Sequence, residues 1–371
     1  MAYLSFQDIG ISAMAAALPK KRIDNYSYTD YFPKEDVKNL VDKIGVFERR
    51  FADTDTCSSD LCYAAAEKLI HDNNIDKSEI DLLVFISQTP DYRMPATSIT
   101  LQHRLGLPHQ CIAFDISLGC SGFIYALSVV YGLMQGKQIR KALLLDGETR
   151  SKVYSPKDRR SAFLFGDAGV AILIENGEKY GKSHFSLNSD GSKANLIMIK
   201  SGGYRHMSSV ESLTEHVVDE YGNIRNDEQG YMNGGDVFNF VIREIPSDIT
   251  NILNKSNKTI QDIDFVVLHQ ANNFINSYIL KKMKIDASIA PQSIAKYGNT
   301  SSVSVPLTII SELKDKLNEK KEILLSAFGV GMTWASAILT FFNPYISDII
   351  EVENGKPVDL ELQSLYTPPI E

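Results

Sequence analysis

The sequence predicts an α/β layered fold built from two similar halves, and three observations carry that expectation. Short apolar runs of strand length alternate with longer helical stretches, the two halves repeat one another, and a polar segment lies between them. With 371 residues the chain can form two average domains or one compact unit of two halves. Apolar residues at 44% and charged residues at 23% leave ample material for a core.

Residues 1–19 lack a basic leader, are broken by Asp8, and read as a first strand rather than a signal peptide. The short runs 80–87, 141–146, 168–174, 263–269, 322–327 and 335–342 are predominantly apolar, the mark of strands covered on both faces. Between them, 59–72, 121–135, 236–254, 272–284 and 303–316 carry helical spacing. A further strand, 111–116, leads directly into the second of these helices.

The repeat is more specific than any single element. The run beginning Ile80-Asp81 recurs at Ile263-Asp264, Gly119-Cys120-Ser121 is answered by Gly298-Asn299-Thr300, and Lys141 with its apolar run is answered by Lys321. All three matches fall in the same order, each displaced by about 180 residues. The expected division is an N-terminal half over 1–200, an inserted loop region over 201–235, a C-terminal half over 236–342 and an extension over 343–371. The insert is polar and glycine-rich, with Gly202-Gly203 and a charged run at 226–230.

Composition excludes several classes of function. A net charge of −8 without a basic stripe argues against a nucleic-acid binder. No run reaches the roughly 18 apolar residues that a membrane span requires. Cys57, Cys62, Cys111 and Cys120 form no C-x-x-C pair and lack clustered histidines, so a metal site is not expected, and free thiols point to a reducing cytoplasm.

Cys120 lies in a small-residue turn, Gly119-Cys120-Ser121-Gly122, between a strand and an apolar helix. The positive end of a helix and its unpaired N–H groups lower a thiol pKa and can hold an oxyanion. Alone, the same residue could be an inert buried thiol. His269 closes an apolar strand, where α/β folds place chemistry, although alone it could be a hydrogen-bonded edge residue. Asn299 could be a turn or cap residue, but the repeat makes it the mirror of Cys120. A pseudo-twofold axis would thus bring thiol and amide face to face. The late turn Phe328-Gly329-Val330-Gly331 can bring backbone N–H groups close to a ligand, or can simply join two strands.

Together these elements resemble the β-ketoacyl-acyl-carrier-protein synthase III family of thiolase-fold condensing enzymes, over roughly residues 5–340. The resemblance rests on Cys120 in D-I-S-L-G-C-S-G-F, His269 in L-H-Q-A-N, Asn299 in Y-G-N-T-S-S, the A-F-G-x-G-x-T-W segment from Ala327, and F-G-D-A-G from Phe165. It implies a thiolase-like fold, a layered α-β-α-β-α sandwich of two pseudo-symmetric βαβ-type halves. The implied reaction is a decarboxylative Claisen condensation of fatty acid biosynthesis. An acyl group on Cys120 joins a malonyl group on an acyl carrier protein, with His269 and Asn299 as hydrogen-bond donors and the N–H groups of Cys120 and Val330 as the oxyanion site. No cofactor is implied; the substrates are acyl-coenzyme A or acyl-carrier protein and malonyl-carrier protein. The resemblance also implies a homodimer in which Met94 reaches the partner's acyl pocket, with Phe328 at that pocket's wall.

Other positions depart from the family pattern. Asn39 stands where the family stacks a tryptophan on adenine, while Arg159 and Lys43 remain as candidates for the coenzyme A or carrier phosphate. Phe274 replaces a basic residue, but Lys281, Lys282 and Lys284 keep a basic patch suited to docking an acidic carrier protein, or merely to a solvated helix end. Val330 interrupts a triple-glycine turn, and a β-branched residue disfavours positive φ there. Competing readings are an acyltransferase using an oxygen or nitrogen nucleophile, a non-catalytic partner subunit of a condensing heterodimer, a 3-hydroxy-3-methylglutaryl synthase-like enzyme and a Cys–His hydrolase. The intact Cys120, His269 and Asn299 set favours decarboxylative condensation over the acyltransferase, the partner subunit and the hydrolase. The 3-hydroxy-3-methylglutaryl synthase-like reading needs a general-base carboxylate near Cys120, where residues 86–95 offer only Asp91.

Overall fold

A computed structural model describes residues 2–369; Met1, Ile370 and Glu371, at the outer limits of the expected N-terminal half and C-terminal extension, lie outside the described residues. Two sheets organise the chain. The first is built on β2 (Ile9–Pro19), β3 (Ile80–Ile86), β4 (Ile112–Ile116), β5 (Lys141–Thr149) and β6 (Asp167–Asn176). The second comprises β1 (Ala2–Gln7), β7 (Lys182–Ser189), β8 (Phe265–Leu268), β9 (Lys320–Gly329) and β10 (Thr333–Phe342).

Strand order supports the repeat. In the first sheet β3 runs parallel to β5, β5 antiparallel to β6, and β6 antiparallel to β2. In the second, β8 runs parallel to β9, β9 antiparallel to β10, and β10 antiparallel to β7. The two four-strand cores are therefore the same motif, read twice along one chain.

The apolar runs are explained by what covers each face. Along β3, Leu82, Val84 and Ile86 point into a central core, whereas Leu83 and Phe85 point to an outer one. Complete burial of such side chains contributes about 1.5–3 kcal/mol each. The central core is filled by two helices between the sheets, α3 (Gly122–Met134) and α6 (Ser304–Leu313). Helix α2 (Ser58–Asp72) covers the outside of the first sheet; α4 (Gly234–Lys255) and α5 (Asn273–Met283) cover the outside of the second. Helix α1 (Lys34–Ile44) packs separately near Phe163. The result is the expected α-β-α-β-α sandwich.

Four details go beyond the expectation. The single first strand is two, because Asp8 adopts φ 61° and exchanges backbone hydrogen bonds with Gly177 and Gly181. The sheets also trade strands across the expected boundaries: β1 and β7 from the N-terminal stretch belong to the second sheet. Conversely, the C-terminal extension is not a free tail. Tyr345–Ile346 and β11 (Ile350–Glu353) pair parallel with β2, and β12 (Lys356–Pro357) closes that edge. Glu351 fixes β11 by accepting a hydrogen bond from the buried Arg50 at 2.9 Å. Finally, the inserted region contains short paired segments; Tyr231–Met232 pairs with Ile197–Met198 beside the site described next.

Candidate active site

The two central helices bring their N-termini to one place. Cys120 precedes α3 and is 9% exposed; Asn299 precedes α6 and is 5% exposed. His269 follows β8, anchored by its N–H to the Ser326 carbonyl at 2.8 Å. The three side chains line one cavity with Phe328, Gly329 and Val330. The symmetry argument from sequence therefore placed thiol and amide correctly, and the strand end supplied the imidazole.

Glycines make this closeness possible. A Cβ on Gly329 would lie 2.6 Å from Cys120 Sγ, and one on Gly119 would lie 2.8 Å from Val330 Cγ1. Positive φ in the late turn falls on Gly331, at 136°, and Val330 is not among the positive-φ residues. The β-branched side chain is thus accommodated without the strain anticipated for it.

Asn299 is held along its whole length. Its N–H donates to Leu164 O at 2.8 Å, its C=O accepts from Gly166 N at 3.1 Å, and its Oδ1 accepts from Ser301 N at 2.9 Å. Only a 3.4 Å contact from Nδ2 to Ala271 O occupies the amide donor. His269 Nδ1 lies 2.7 Å from Ser304 Oγ, which accepts the Gln270 N–H at 3.3 Å. Ser304 can still give its own proton to Nδ1, an arrangement that leaves the ring proton on Nε2. Burial, reinforced by the Arg150 charge, lowers the His269 pKa from 6.5 to about 3, so the ring is neutral.

The thiol corrects one expectation. Burial pushes the Cys120 pKa up, and the nearby Arg150 guanidinium and Ser301 hydroxyl only partly offset it. Loss of water in the enclosed cavity is the largest influence on this thiol.

Sequence reasoning missed the polar group behind the thiol. Ser301 Oγ stands 3.9 Å from Cys120 Sγ and accepts from Arg150 Nη2 at 3.1 Å. Arg150 also donates to Gln88 Oε1 at 2.9 Å and faces the buried Glu148 at 3.7 Å. A signal existed: Asp146, Glu148 and Arg150 alternate at the end of an otherwise apolar strand, which places charges on one face.

The remaining candidates lie outside the cavity, apart from Phe328, whose ring meets His269 edge-on at 5.4 Å. Met94 is exposed on its own chain and lines no part of this cavity. Arg159 sits half-exposed beside Asp36 at 3.6 Å, over the Phe32 ring. Lys43 lies exposed on α1, two turns from Asp36 on the same helix. Lys281, Lys282 and Lys284 are exposed at the end of α5, and none pairs with a carboxylate among the described residues. On the same helix, Phe274 is exposed and stacks on Phe238. Among the described residues no cluster of three or more His, Cys, Asp or Glu side chains is placed to hold a metal, and no helix is long and apolar enough to cross a membrane.

A buried thiol, a neutral imidazole N–H and an amide N–H thus converge on one cavity, a nucleophile with two donors for developing negative charge. The family profile described as 3-oxoacyl-[acyl-carrier-protein] synthase III matches residues 114–191, and that of the C-terminal part of the same family matches 253–341. The chain is 32% identical over 334 residues to the beta-ketoacyl-[acyl-carrier-protein] synthase III of Caldanaerobacter subterraneus subsp. tengcongensis, covering 89% of this chain and 97% of that one. The crystal structure of a 3-oxoacyl-(acyl-carrier protein) synthase from Burkholderia xenovorans superposes with a TM-score of 0.89 at 37% identity, covering 95% of this chain and 99% of the other. A synthase III from Thermus thermophilus gives 0.77 at 31% identity, covering 90% and 99%.

Proposed function

Since the chain belongs to the 3-oxoacyl-[acyl-carrier-protein] synthase III family, we propose that it joins a Cys120-bound acyl group to a malonyl group on an acyl carrier protein, with loss of CO2. The observation that carries this reading is the convergence of Cys120, His269 and Asn299 on one cavity.

In the first half-reaction Cys120 Sγ attacks the acyl thioester. The Sγ–C bond forms, the donor's C–S bond breaks, and the cysteine proton ends on the departing carrier thiol. The tetrahedral oxygen is held by the N–H groups of Cys120 and Val330. In the second, malonyl thioester enters with its carbonyl oxygen against His269 Nε2–H and Asn299 Nδ2–H. The bond to the carboxylate breaks, CO2 leaves, and the electron pair becomes an enolate held by these two donors. A neutral imidazole suits this role, because it donates without a prior proton loss. The enolate carbon then attacks the acyl carbonyl, Sγ leaves, and a 3-oxoacyl thioester is released. Atoms and charge balance once the departing Cys120 thiolate takes one proton from water, and no metal or redox cofactor enters the scheme.

The outer candidates fit around this centre. Arg159 and Lys43 suit the phosphates of coenzyme A or the carrier arm, and Lys281, Lys282 and Lys284 suit the acidic surface of a carrier protein. Phe328 forms the cavity wall, and Met94 closes the pocket of a second subunit in a homodimer. The proposed setting is cytoplasmic, without a nucleic-acid or membrane partner.

The test is to weigh the intact enzyme and Cys120→Ala after exposure to acyl thioesters, then add malonyl carrier protein. An adduct on the parent only, discharged with CO2 and a 3-oxoacyl product, is expected. An adduct that malonyl carrier protein cannot discharge points instead to an acyltransferase, and no adduct at all rejects the reading.

A further inference from the structure

Behind the thiol lies a guanidinium that a plain hydrocarbon primer does not need. Arg150 is 6% exposed and lines the Cys120 cavity. It also lines a second cavity that shares Tyr154 and Phe165 with the first; these two rings stack at 3.9 Å and form the common wall. The second cavity sets polar groups among aromatic walls. Ser151, Ser155 and Ser161 contribute to it, and so does a second buried arginine, Arg49, at 1% exposure.

Neither arginine is fully satisfied. Arg150 Nη2 serves Gln88 and Ser301, but Nε has no hydrogen-bond partner. Arg49 donates to Asn25 Oδ1 and Phe165 O, lies over the Tyr28 and Phe51 rings, and leaves Nη2 without a partner. Between them they face one carboxylate within ion-pair range, Glu148 at 3.7 Å from Arg150 Nε. Glu148 lies in ion-pair range and Asp167 acts on both guanidiniums from further away, yet each arginine keeps an N–H without a hydrogen-bond partner, which leaves a charged donor for an added anion in a space of low dielectric.

Resting on the condensing reading above, we infer that this enzyme selects an acyl primer ending in a carboxylate, which Arg150 receives at the wall between the two cavities. Distance supports a short chain. With the Cys120–Ser301 and Ser301–Arg150 contacts laid end to end, the guanidinium is at most about 7 Å from the sulfur. A succinyl group spans about 6 Å from sulfur to terminal oxygen when extended, and the hydrogen bond adds about 3 Å, so a chain bent at one methylene brings its carboxylate to the guanidinium. A butyryl group of equal length would instead strand the guanidinium against methyl and methylene carbons.

The experiment compares succinyl and butyryl thioesters, each on coenzyme A and on carrier protein, by the rate at which the mass of the acyl group appears on the intact enzyme. Cys120→Ala corrects for acylation elsewhere. The unaltered enzyme should take succinyl over butyryl by roughly tenfold to a hundredfold, the worth of one charge-assisted hydrogen bond. Arg150→Leu should reverse that ratio, and Arg150→Lys should keep part of it. Thermal unfolding of both variants is recorded, because Glu148 loses its partner, but the ratio of the unaltered enzyme needs no variant. Butyryl transfer equal to or faster than succinyl transfer in the unaltered enzyme overturns the inference. So does Arg150→Leu slowing both donors alike, which would make Arg150 a support for the thiolate only. Stimulation of butyryl transfer by added acetate would assign the site to a separate anion and overturn it too. Absence of any adduct, with acetyl donors included, would reject the condensing reading itself.

Discussion

Gly329 lies so near Cys120 that a single added methyl would sit 2.4 Å from the cysteine Cβ and 2.6 Å from its sulfur. The late turn and the nucleophile are therefore one packed unit, although more than two hundred residues separate them in sequence.

Gly329→Ala should accordingly displace the turn that presents the Val330 N–H. We expect acylation of Cys120 to fall by roughly a hundredfold, the scale seen when one oxyanion donor is lost. Stability should fall by about 1–3 kcal/mol, as for other overpacked sites. Adduct formation by mass spectrometry and a thermal melt measure the two effects separately.

Ser304→Ala removes the hydroxyl that fixes His269 Nδ1 at 2.7 Å. Decarboxylation of malonyl carrier protein should slow by about fivefold to tenfold, the worth of one neutral hydrogen bond. Acylation of Cys120 should be unchanged. CO2 release against adduct formation in the same preparation is the check, and equal slowing of both would reject the assignment.

Neutrality of His269 has a pH consequence. Its folded pKa of about 3 lies below the ordinary 6.5, so the unfolded chain binds a proton that the folded one refuses. This group therefore leaves stability untouched above pH 6.5 and withdraws about 1.4 kcal/mol per pH unit as pH falls from 6.5 towards 3. Denaturant melts at pH 7 and 5, compared between the parent and His269→Gln, should show a smaller acid loss in the variant.

Replacing Lys281, Lys282 and Lys284 with glutamate should raise KM for malonyl carrier protein by about tenfold at low salt, with kcat little altered. The difference should shrink as ionic strength rises towards the range where the Debye length is about 8 Å. Steady-state kinetics across a salt series would show it; a salt-independent defect would point to a structural cause.

Much of this architecture was legible beforehand, and the reasons differ by element. The doubled strand–helix pattern exposed Cys120 and Asn299 as mirror positions because a repeat preserves local order even where composition drifts. His269 was legible from its place at a strand end. The strand exchange by β1, β7 and β11 was not, since an apolar run shows that a strand is buried but not which neighbour it meets. The thiol pKa was also misjudged, because burial is set by Phe328, Gly329 and other distant segments rather than by the helix that Cys120 precedes. Arg150 escaped notice for a related reason: a charged residue after a strand reads as a surface turn until the fold closes over it.

The exchange of strands bears on how the protein comes into being. As the chain leaves the ribosome, β1 and β7 emerge early, yet β7's neighbour β10 is among the last core strands made, and β2 gains its β11 neighbour later still. Neither sheet can be completed from the first two hundred residues, so a nascent or truncated N-terminal fragment holds Cys120 without its imidazole, its amide or its glycine turn. The cavity around the nucleophile is therefore assembled only once the chain is made through its last core strands.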